Sequence, residues 1–247
     1  MIGKRGDAVS HIAQAYPDRV EVRGRDLTGD VMGRLTFTEY FHLLLTGDEP
    51  TADQRDFLDV LLIAIAEHGM MPTSVAARMT LAADPQSLHG AVAAGILGAG
   101  PVILGTADEC ARILASDDEP AAIANRARAE RTKLPGFGHP VHRPRDPRAD
   151  RILELADARR VSGPHVAKAR ALADAAAEAW GRPLTMNVSL PIAAVMLDLG
   201  FPPYTVKAVP ILARTAGLLA HLAEEQTQPL GFLMAGAAEE AIAYARP

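Results

Sequence analysis

The hydrophobic and polar positions of this chain repeat with the period of α-helices over most of its 247 residues. In "ADQRDFLDVLLIAIAEHG" the apolar residues Phe57, Leu61 and Ala64 fall on one helical face, and the pattern ends at a glycine. "GPHVAKARALADAAAEAWG" begins with proline and ends with glycine, the usual order at helix ends. A later run, "FPPYTVKAVPILARTAGLLAHLAEEQ", opens with prolines, and we expect Pro210 to kink it. The pattern therefore predicts an all-α fold.

Two stretches depart from this helical pattern. "VEVRG" favours a strand, as part of a short hairpin near the start of the chain. Ala91 to Ala107 is an uncharged run, but proline and glycines break it and it is shorter than the ~20 residues of a membrane span. We expect a closely packed helix pair there and no membrane segment. Because small residues let helices approach closely, we also expect a homodimer whose interface includes 91–103.

The order of the segments predicts two domains. A loop rich in proline, glycine and arginine around His139 opens a second helical block, and apolar helices return from residue 186. We predict a large helical domain formed by 1–106 and 186–247, with a small helical domain, 107–185, inserted in it. A cleft between two such lobes is a common place for a ligand site.

Composition narrows the function classes. Hydrophobic residues make up 49% of the chain, which argues against disorder, and the net charge of −5 argues against a general nucleic-acid binder. The single cysteine, Cys110, excludes an intramolecular disulfide and is expected to be a small buried residue. The first residues lack the apolar core of a secretory signal, so we expect a cytoplasmic protein.

Histidine, arginine, glycine and proline residues are concentrated in one segment, "LPGFGHPVHRPRDPRA", residues 134–149. Glycines on both sides of Phe137 let the main chain approach a ligand closely. The prolines restrain the loop, so His139 is held rigidly beside guanidinium groups that suit carboxylates or phosphates. This combination can polarise a carbonyl or hydroxyl of a polycarboxylate. The alternative is a surface loop with solvated arginines.

The same loop resembles the PGFGHxVY…DPRA segment of the citrate synthase family. Four further segments resemble that family in order and spacing: "VRGRDLTGDVMGRLTFTEYFHLLLTGDEPT", "AEHGMMPTSVAAR", "NVSLPIAAVMLDLGFP" and "LARTAGLLAHLAEE". Together they cover nearly the whole chain. Its length and the form of its start are more similar to citryl-CoA lyases and the C-terminal lyase module of ATP-citrate lyase than to full-length citrate synthases.

The resemblance implies a two-domain, citrate synthase-like helical fold, usually dimeric. It implies an enzyme that joins or splits an acyl-CoA of the acetyl-CoA type and a 2-oxo acid of the oxaloacetate type, with no metal. His139 is expected to contact the hydroxyl or keto oxygen of the citrate-like partner and to take its proton during cleavage. Three residues are expected to hold the carboxylates: His68, Arg148 and Arg214. Coenzyme A is expected along the main chain of Gly136, Phe137 and Gly138, with Arg143 or Arg145.

These residues also have structural interpretations when they are considered one by one. His68 is then a histidine at a helix end. Arg214 is a salt-bridged helix arginine, and Arg148 fixes its loop.

Two positions depart from the family pattern. Counting without gaps places Leu104 where condensing members have their first catalytic histidine, a residue that citryl-CoA lyases also lack. His89 lies about four helical turns earlier, and we expect it to be structural. "NVSL" places Ser189 where synthases and lyases have a catalytic aspartate. Asp198 follows on the same predicted helix and is not expected to reach that position.

Three functions fit this pattern. The first is an active carbon–carbon lyase or condensing enzyme in which His139 and Ser189 occupy the catalytic positions, with a substitute for the aspartate or a substrate acidic enough to need none. The second is a CoA-thioester hydrolase of the same fold, in which Ser189 and a water take part. The third is a catalytically silent homologue that binds a CoA thioester or a carboxylate, or that pairs with an active homologue. Because loss of one general base costs ~10²–10⁴-fold in rate, the serine predicts a reduced or altered activity.

Overall fold

The computed structural model describes residues 8–246, with residues 101 and 102 described by their backbone alone. The fold is almost entirely helical, as the sequence predicted. Within the described residues the α-helices are α1 (Phe37–Thr46), α2 (Ala52–Ala66), α3 (Pro72–Ala83), α4 (Leu88–Leu97), α5 (Gly100–Ile103), α6 (Thr106–Leu114), α7 (Pro120–Ala129), α8 (Pro147–Ala158), α9 (Pro164–Trp180), α10 (Ser189–Asp198), α11 (Ala208–Glu225) and α12 (Gly231–Ala241).

The chain divides into two compact units, residues 1–59 and 60–247. The first unit carries a small antiparallel sheet with strands β1 (Ala13–Ala15), β2 (Val20–Val22) and β3 (Arg25–Asp26). The strand predicted at "VEVRG" is β2, which pairs with β1 and β3 on its two sides. A reciprocal capping box between Thr36 and Glu39 begins α1, because each side chain accepts the other residue's main-chain N–H.

In the second unit, α3 packs against α4, α11 and α12. Ala91 of α4 is buried in the apolar cluster between these helices. A Cβ on Gly95 would lie 2.7 Å from a methyl group of Leu218, so only glycine allows this approach. The opposite face of α4 exposes Leu97. The small residues of this run therefore serve close packing within the chain, and the homodimer remains a prediction.

Helix α10 is buried along its length and packs against α6, α8 and α9. Its only charge, Asp198, is at the last position. The carboxylate of Asp198 accepts hydrogen bonds from the main-chain N–H groups of Gly163 (2.7 Å), His165 (2.9 Å) and Val166 (2.9 Å), which open α9. Asp198 is therefore a helix cap, as expected from its distance along the helix from Ser189.

Of two predictions about the ends and bends of the later helices, one is wrong and one is confirmed. The expected kink at Pro210 is wrong, because this proline lies in the first turn of α11, where a missing N–H has no helical partner to lose. Helix α9 begins at Pro164 and ends at Trp180, and the φ of +65° at the following Gly181 confirms the predicted terminus. The predicted small domain, 107–185, lies inside the second unit and remains a prediction.

Two further expectations concern buried and apolar segments. Cys110 is buried, and burial raises the pKa of its thiol well above the ordinary value, so it is an unreactive structural residue. One segment, Pro203–Glu225, has the length and hydropathy of a membrane span, and 44% of its most apolar window is buried. The core helix of a soluble protein meets the same criteria.

Candidate functional site

A cavity of about 210 Å³ lies in the second unit, where the loop before α8 meets the ends of several helices. Five residues that the sequence singled out line it: His68, His139, Arg148, Ser189 and Arg214. They come from positions far apart in the chain, and the fold brings them to one place. A second cavity, of about 670 Å³, adjoins the first and shares His139 and Asn187 with it.

His139 is fixed by its own loop. Its Nδ1 accepts hydrogen bonds from the main-chain N–H groups of Val141 (3.1 Å) and His142 (2.9 Å). A neutral imidazole with an accepting Nδ1 carries its proton on Nε2. His139 is therefore a donor toward the cavity. The expectation that it takes a proton from a substrate hydroxyl is wrong for this arrangement, because Nε2 is already protonated.

The Nε2 atom of His139 lies 3.3 Å from Nη2 of Arg148. Both atoms carry hydrogens, so neither can accept from the other. Such a pair of converging donors is satisfied when an oxygen of a ligand accepts from both. Burial and the neighbouring His142 lower the pKa of His139, and Arg148 adds to this effect, so the free ring is neutral.

Asp146 holds Arg148 in place. Its buried carboxylate accepts from Nε (3.0 Å) and Nη2 (2.8 Å) of Arg148, and also from the main-chain N–H of Val188 at the start of α10 (3.2 Å). Although burial opposes ionisation, the hydrogen bonds and charge of Arg148 lower the pKa of Asp146. One carboxylate thus fixes an arginine and a helix start at the same cavity wall. The sequence analysis missed this role of Asp146.

Arg214 reaches the cavity from α11 and is only 3% exposed. Its Nη2 donates to the carbonyl oxygen of Ile65 at 3.3 Å, whereas Nε and Nη1 are buried without a hydrogen-bond partner among the described residues. Unpaired buried donors on a charged group are costly and rare. They are explained if an anionic ligand supplies the acceptors.

His68 follows α2, in a turn held by Glu67. Oε1 of Glu67 accepts from the main-chain N–H groups of His68 (2.8 Å) and Gly69 (2.6 Å) and lies 3.0 Å from Nε2 of His221. Nδ1 of His221 accepts from Nε of Arg78 at 3.0 Å, so its proton is on Nε2 and is donated to Glu67. Burial opposes ionisation of Glu67, but these hydrogen bonds lower its pKa overall.

This turn is supported from deeper in the protein. Arg78 is completely buried and pairs with Glu224 and, at 2.7 Å, with Glu225. The same Glu225 accepts from the main-chain N–H groups that begin α12. A Cβ on Gly217 of α11 would lie 2.2 Å from the carbonyl oxygen of Ala66, so glycine permits the close approach of α11 to this turn. The position of His68 thus depends on three helices.

His142 is a second residue that the sequence analysis missed. Its Nε2 lies 3.0 Å from Nε2 of His68, and its ring stacks on that of His139 with centroids 4.3 Å apart. The signal was present in "GHPVH", which places two histidines on one rigid loop. Their proximity to His68 depends on tertiary packing.

Ser189 takes part in the hydrogen bonding of the site through its main chain. The main-chain N–H of Ser189 donates to Oδ1 of Asn187 at 3.1 Å, and no hydrogen bond of its hydroxyl is found among the described residues. The apolar residues of the cavity lining, apart from glycine and proline, are Ile65, Met71, Ile103, Leu104 and Val188. No carboxylate is among the described residues that line this cavity.

The residues expected to bind coenzyme A divide into two sets. Gly136, Phe137 and Gly138 line the larger cavity, together with Lys133, which the sequence analysis did not single out. The two arginines line neither cavity. Both are exposed: the guanidinium of Arg145 is paired with Asp150 at 2.8 Å, and that of Arg143 makes no hydrogen bond or ion pair with the described residues.

The three histidines could be considered as metal ligands. One ring nitrogen from each of His68, His139 and His142 lies within 4.8 Å of the others. However, Nε2 of His139 carries a proton while Nδ1 accepts two main-chain N–H groups, and Arg148 adds positive charge beside it. These facts favour a cluster of hydrogen-bonded imidazoles. The absence of a metal remains a prediction.

Comparison with known proteins gives a consistent picture. The profile described as "Citrate synthase, C-terminal domain" matches residues 8–231. Citrate synthase of Saccharolobus solfataricus is 28% identical over 203 residues, which cover 76% of this chain and 52% of that protein. The chain spans about half the length of the curated relatives it matches.

Solved structures extend the comparison to the fold. Citryl-CoA lyase from Hydrogenobacter thermophilus superposes with a TM-score of 0.82 and 28% identity, covering 90% of this chain and 88% of that one. ATP citrate lyase from Methanosaeta concilii, in complex with (3S)-citryl-CoA, has a TM-score of 0.81 at 20% identity, covering 100% of this chain and 43% of that one, and shows likeness of fold alone. With the profile match over most of its length, this chain belongs to the citrate synthase family.

Proposed function

We propose that this chain is a citryl-CoA lyase-like enzyme, which breaks or forms the carbon–carbon bond between an acetyl-CoA-type thioester and an oxaloacetate-type 2-oxo acid. The observation that carries the proposal is the pair of buried nitrogens on Arg214 without a partner among the described residues, in a cavity whose described lining also includes Arg148 and two histidines but no carboxylate. Such a site is complementary to a polycarboxylate.

The adjoining larger cavity suits the thioester. Gly136, Phe137 and Gly138 line it, and Gly138, His139 and Asn187 are common to both cavities. A citryl-CoA-like molecule with its carboxylates near Arg214 would place its thioester at this junction. The ATP citrate lyase of similar fold was solved with citryl-CoA, which supports this class of substrate.

The coenzyme's phosphates lie near Arg143 in this proposal. Arg143 is exposed and unpaired among the described residues, whereas Arg145 is held by Asp150. A well-formed charge-assisted contact to phosphate is worth ~1.5–3 kcal/mol. Arg143→Ala is therefore expected to weaken CoA binding about tenfold or more in calorimetry, while Arg145→Ala serves as the matched control. Equal, small effects in both variants would contradict this placement.

The hydrogen-bond donors of His139 and Arg148 suggest how the carbon–carbon bond is cleaved. The substrate hydroxyl oxygen accepts from Nε2–H of His139 and from Arg148, which stabilise it as it becomes the carbonyl of the 2-oxo acid. The hydroxyl proton leaves to a base, the carbon–carbon bond breaks, and its electron pair forms the thioester enolate. The enolate carbon then takes one proton. The resemblance aligns Ser189 with the family's aspartate, so this last proton comes slowly, from water.

The two alternatives have less support. A hydrolase that uses Ser189 as nucleophile needs a base bonded to its hydroxyl, and none is found among the described residues. A silent homologue that binds a carboxylate would use Arg214 equally, and what favours the enzyme is His139, a donor held by its own loop beside Arg148.

The test is the product of citryl-CoA after incubation, identified by mass spectrometry. Oxaloacetate with acetyl-CoA supports the lyase, and citrate with free CoA supports the hydrolase. We expect a low native rate that Ser189→Asp raises by about ten- to a thousandfold, the range of one general acid–base group. Ser189→Ala, the matched control, is expected to stay near the wild-type rate.

His139→Ala should abolish cleavage in both the wild-type and the Ser189→Asp backgrounds. If Ser189→Asp slows a fast wild-type enzyme, serine is the functional residue and the account of the missing carboxylate is wrong. If no form acts on any CoA thioester, the lyase proposal fails and the silent homologue replaces it.

We also propose a homodimer, with α4 at the interface. Its outer face exposes Leu88 and Leu97 while its inner face is buried within the chain. Light scattering at micromolar concentration should give twice the monomer mass, and Leu97→Glu should lower it to the mass of one chain. A wild-type monomer would contradict the proposal.

A further inference from the structure

The proposed cleavage needs a base for the hydroxyl proton, and His139 cannot supply it. Its Nδ1 accepts two main-chain N–H groups, so its Nε2 is occupied by a proton. No carboxylate is found among the described residues lining the cavity, and Ser189 has no base beside its hydroxyl. The remaining titratable group in the wall is His68.

The ring of His68 lies beside that of a second histidine. Its Nε2 lies 3.0 Å from Nε2 of His142, a distance at which one imidazole donates a proton to the other. His68 lines the cavity, whereas His142 does not. The side chain of His142 is 24% exposed, so this pair connects the cavity with the outer surface of the loop.

One carboxylate lies within reach of the ring of His142. Oδ1 of the buried Asp146 lies 4.0 Å from Nε2 of His142. The other titratable or charged groups nearby are His68, His139 and Arg148, of which only Arg148 has a fixed positive charge, and Asp146 already pairs with it. Arg148 and Asp146 therefore offset each other beside this ring, and burial with Arg148 keeps the His68 ring neutral.

We propose that His142 is a positioning residue that shares one proton with His68 and thereby makes His68 the base of the cavity. This inference rests on the proposed lyase function. The substrate hydroxyl gives its proton to Nδ1 of His68, because Nε2 is engaged. His68 passes the proton on its Nε2 to Nε2 of His142, which starts neutral with its own proton on Nδ1, and His142 then releases the Nδ1 proton to solvent. Protons and charges balance at each step.

The shared proton can be tested on the free protein, without substrate. Long-range ¹⁵N–¹H correlation spectra report the tautomer and the pKa of each histidine ring. In wild type, His68 and His142 should titrate as a coupled pair. In His142→Asn, His68 should titrate alone and its pKa should rise, because His142 lowers it in the wild type after the larger effects of burial and Arg148. His89→Asn, on the exposed side of α4, is the matched control and should leave the pair unchanged.

The catalytic consequence is tested with citryl-CoA. His142→Asn should lower kcat about ten- to a hundredfold while KM changes less than threefold, because the base is affected and the carboxylate contacts are kept. Millimolar imidazole should restore part of the rate in His142→Ala, and the acidic limb of the pH profile should move. A merely structural role of His142 would not give imidazole rescue or a moved limb.

Three results would overturn the inference. The first is an unchanged His68 titration in His142→Asn, and the second is an unchanged kcat and pH profile. The third is tight binding of Zn²⁺ by wild type that is lost in His142→Asn, since the cluster would then be a metal site. If the pair is coupled but neither wild type nor Ser189→Asp cleaves citryl-CoA, the lyase proposal fails while the shared proton is upheld.

Discussion

Two arginines are buried in this protein to nearly the same extent, and they differ in their partners. Arg78 of α3 is fully buried, and its guanidinium reaches Glu224, Glu225 and His221. Arg214 of α11 is 3% exposed, yet among the described residues it has one hydrogen bond, to a carbonyl oxygen, and two nitrogens without a partner. Burial alone therefore does not distinguish an arginine whose charge is satisfied inside the protein from one that keeps unpaired donors.

The difference shows how this fold separates stability from binding. The region around Arg78 satisfies its charges internally and, through His221 and Glu67, fixes the turn that carries His68. The region around Arg214 leaves donors unsatisfied and holds them at a cavity. We expect substitutions in the first region to change the free energy of unfolding, and substitutions in the second to change ligand affinity.

The largest expected effect is on stability. Arg78→Met leaves Glu225 buried without its cation, and breaking a buried pair in this way costs about 3–5 kcal/mol of unfolding free energy. Urea denaturation measures it. The exposed pair of Arg112 with Asp108 supplies the control, since Arg112→Met should cost no more than about 0.5 kcal/mol. Similar losses for both variants would remove the distinction between buried and surface pairs here.

Arg214→Met should give the opposite result. Dicarboxylate or citrate binding should weaken about a hundredfold, because two charge-assisted hydrogen bonds are lost. The melting temperature of the free protein should stay the same or rise, since a costly unpaired charge is replaced by an apolar side chain of similar length. Calorimetric titration and thermal scanning measure both quantities. A destabilised variant with normal affinity would show that Arg214 is structural.

Gly217→Ala connects the two regions. The added Cβ would lie 2.2 Å from the carbonyl oxygen of Ala66, so α11 must move away from the turn before His68, at a cost of about 1–3 kcal/mol. Carboxylate affinity should fall as His68 shifts. Gly236→Ala in α12 is the matched control, because nothing lies within 4 Å of its Cβ and alanine is the better helix former. Equal melting temperatures for both variants would contradict this packing.

The smallest expected effect is on pH dependence. In the free protein the pKa values of His68 and His139 both lie below the ordinary 6.5, and burial is the main cause for each. The next cause is the charge of Arg148 for His68 and the neighbouring His142 for His139. A bound dicarboxylate favours the protonated rings and raises these values, so binding takes up protons and affinity should increase as the pH falls from about 7.5 toward 6. Titrations in buffers of different ionisation enthalpy measure the uptake. Proton release on binding would refute the assignment.

The lowered pKa values of His68 and His139 also make the free energy of unfolding depend on pH. Since the unfolded histidines bind protons more readily than the folded ones, folded-state stability is complete above the unfolded pKa near 6.5 and is lost as the pH falls through the lower folded values. His68→Asn should flatten this dependence. Glu67 has a similar effect at lower pH. Because folding lowers its pKa, the stability that its ionised form contributes is lost as the pH falls below 4.5.

Much of the fold was predictable from the sequence, because helical periodicity and end signals are local. The run that forms α2 and the proline and glycine that bound α9 are examples. Pro210 was misjudged because its effect depends on where α11 begins, and that is set by the 3-10 turn at Pro203–Thr205 before it. For the site, "GFGHPVHRPRDPRA" predicted that His139 and Arg148 lie close together, although Arg148 belongs to the first turn of α8 and only His139 lies in the loop before it.

What the sequence by itself determined was which residue types are present, at which helical positions, and on which loop the cations are concentrated. Only the tertiary structure decided which of those cations are neutralised within the protein and which keep unpaired donors among the described residues. Arg78 and Glu225 are 147 positions apart, and no local pattern pairs them. The ring of His142 meets His68 across 74 positions for the same reason. The availability of a charge depends on which distant groups neutralise it, and packing alone brings those groups together.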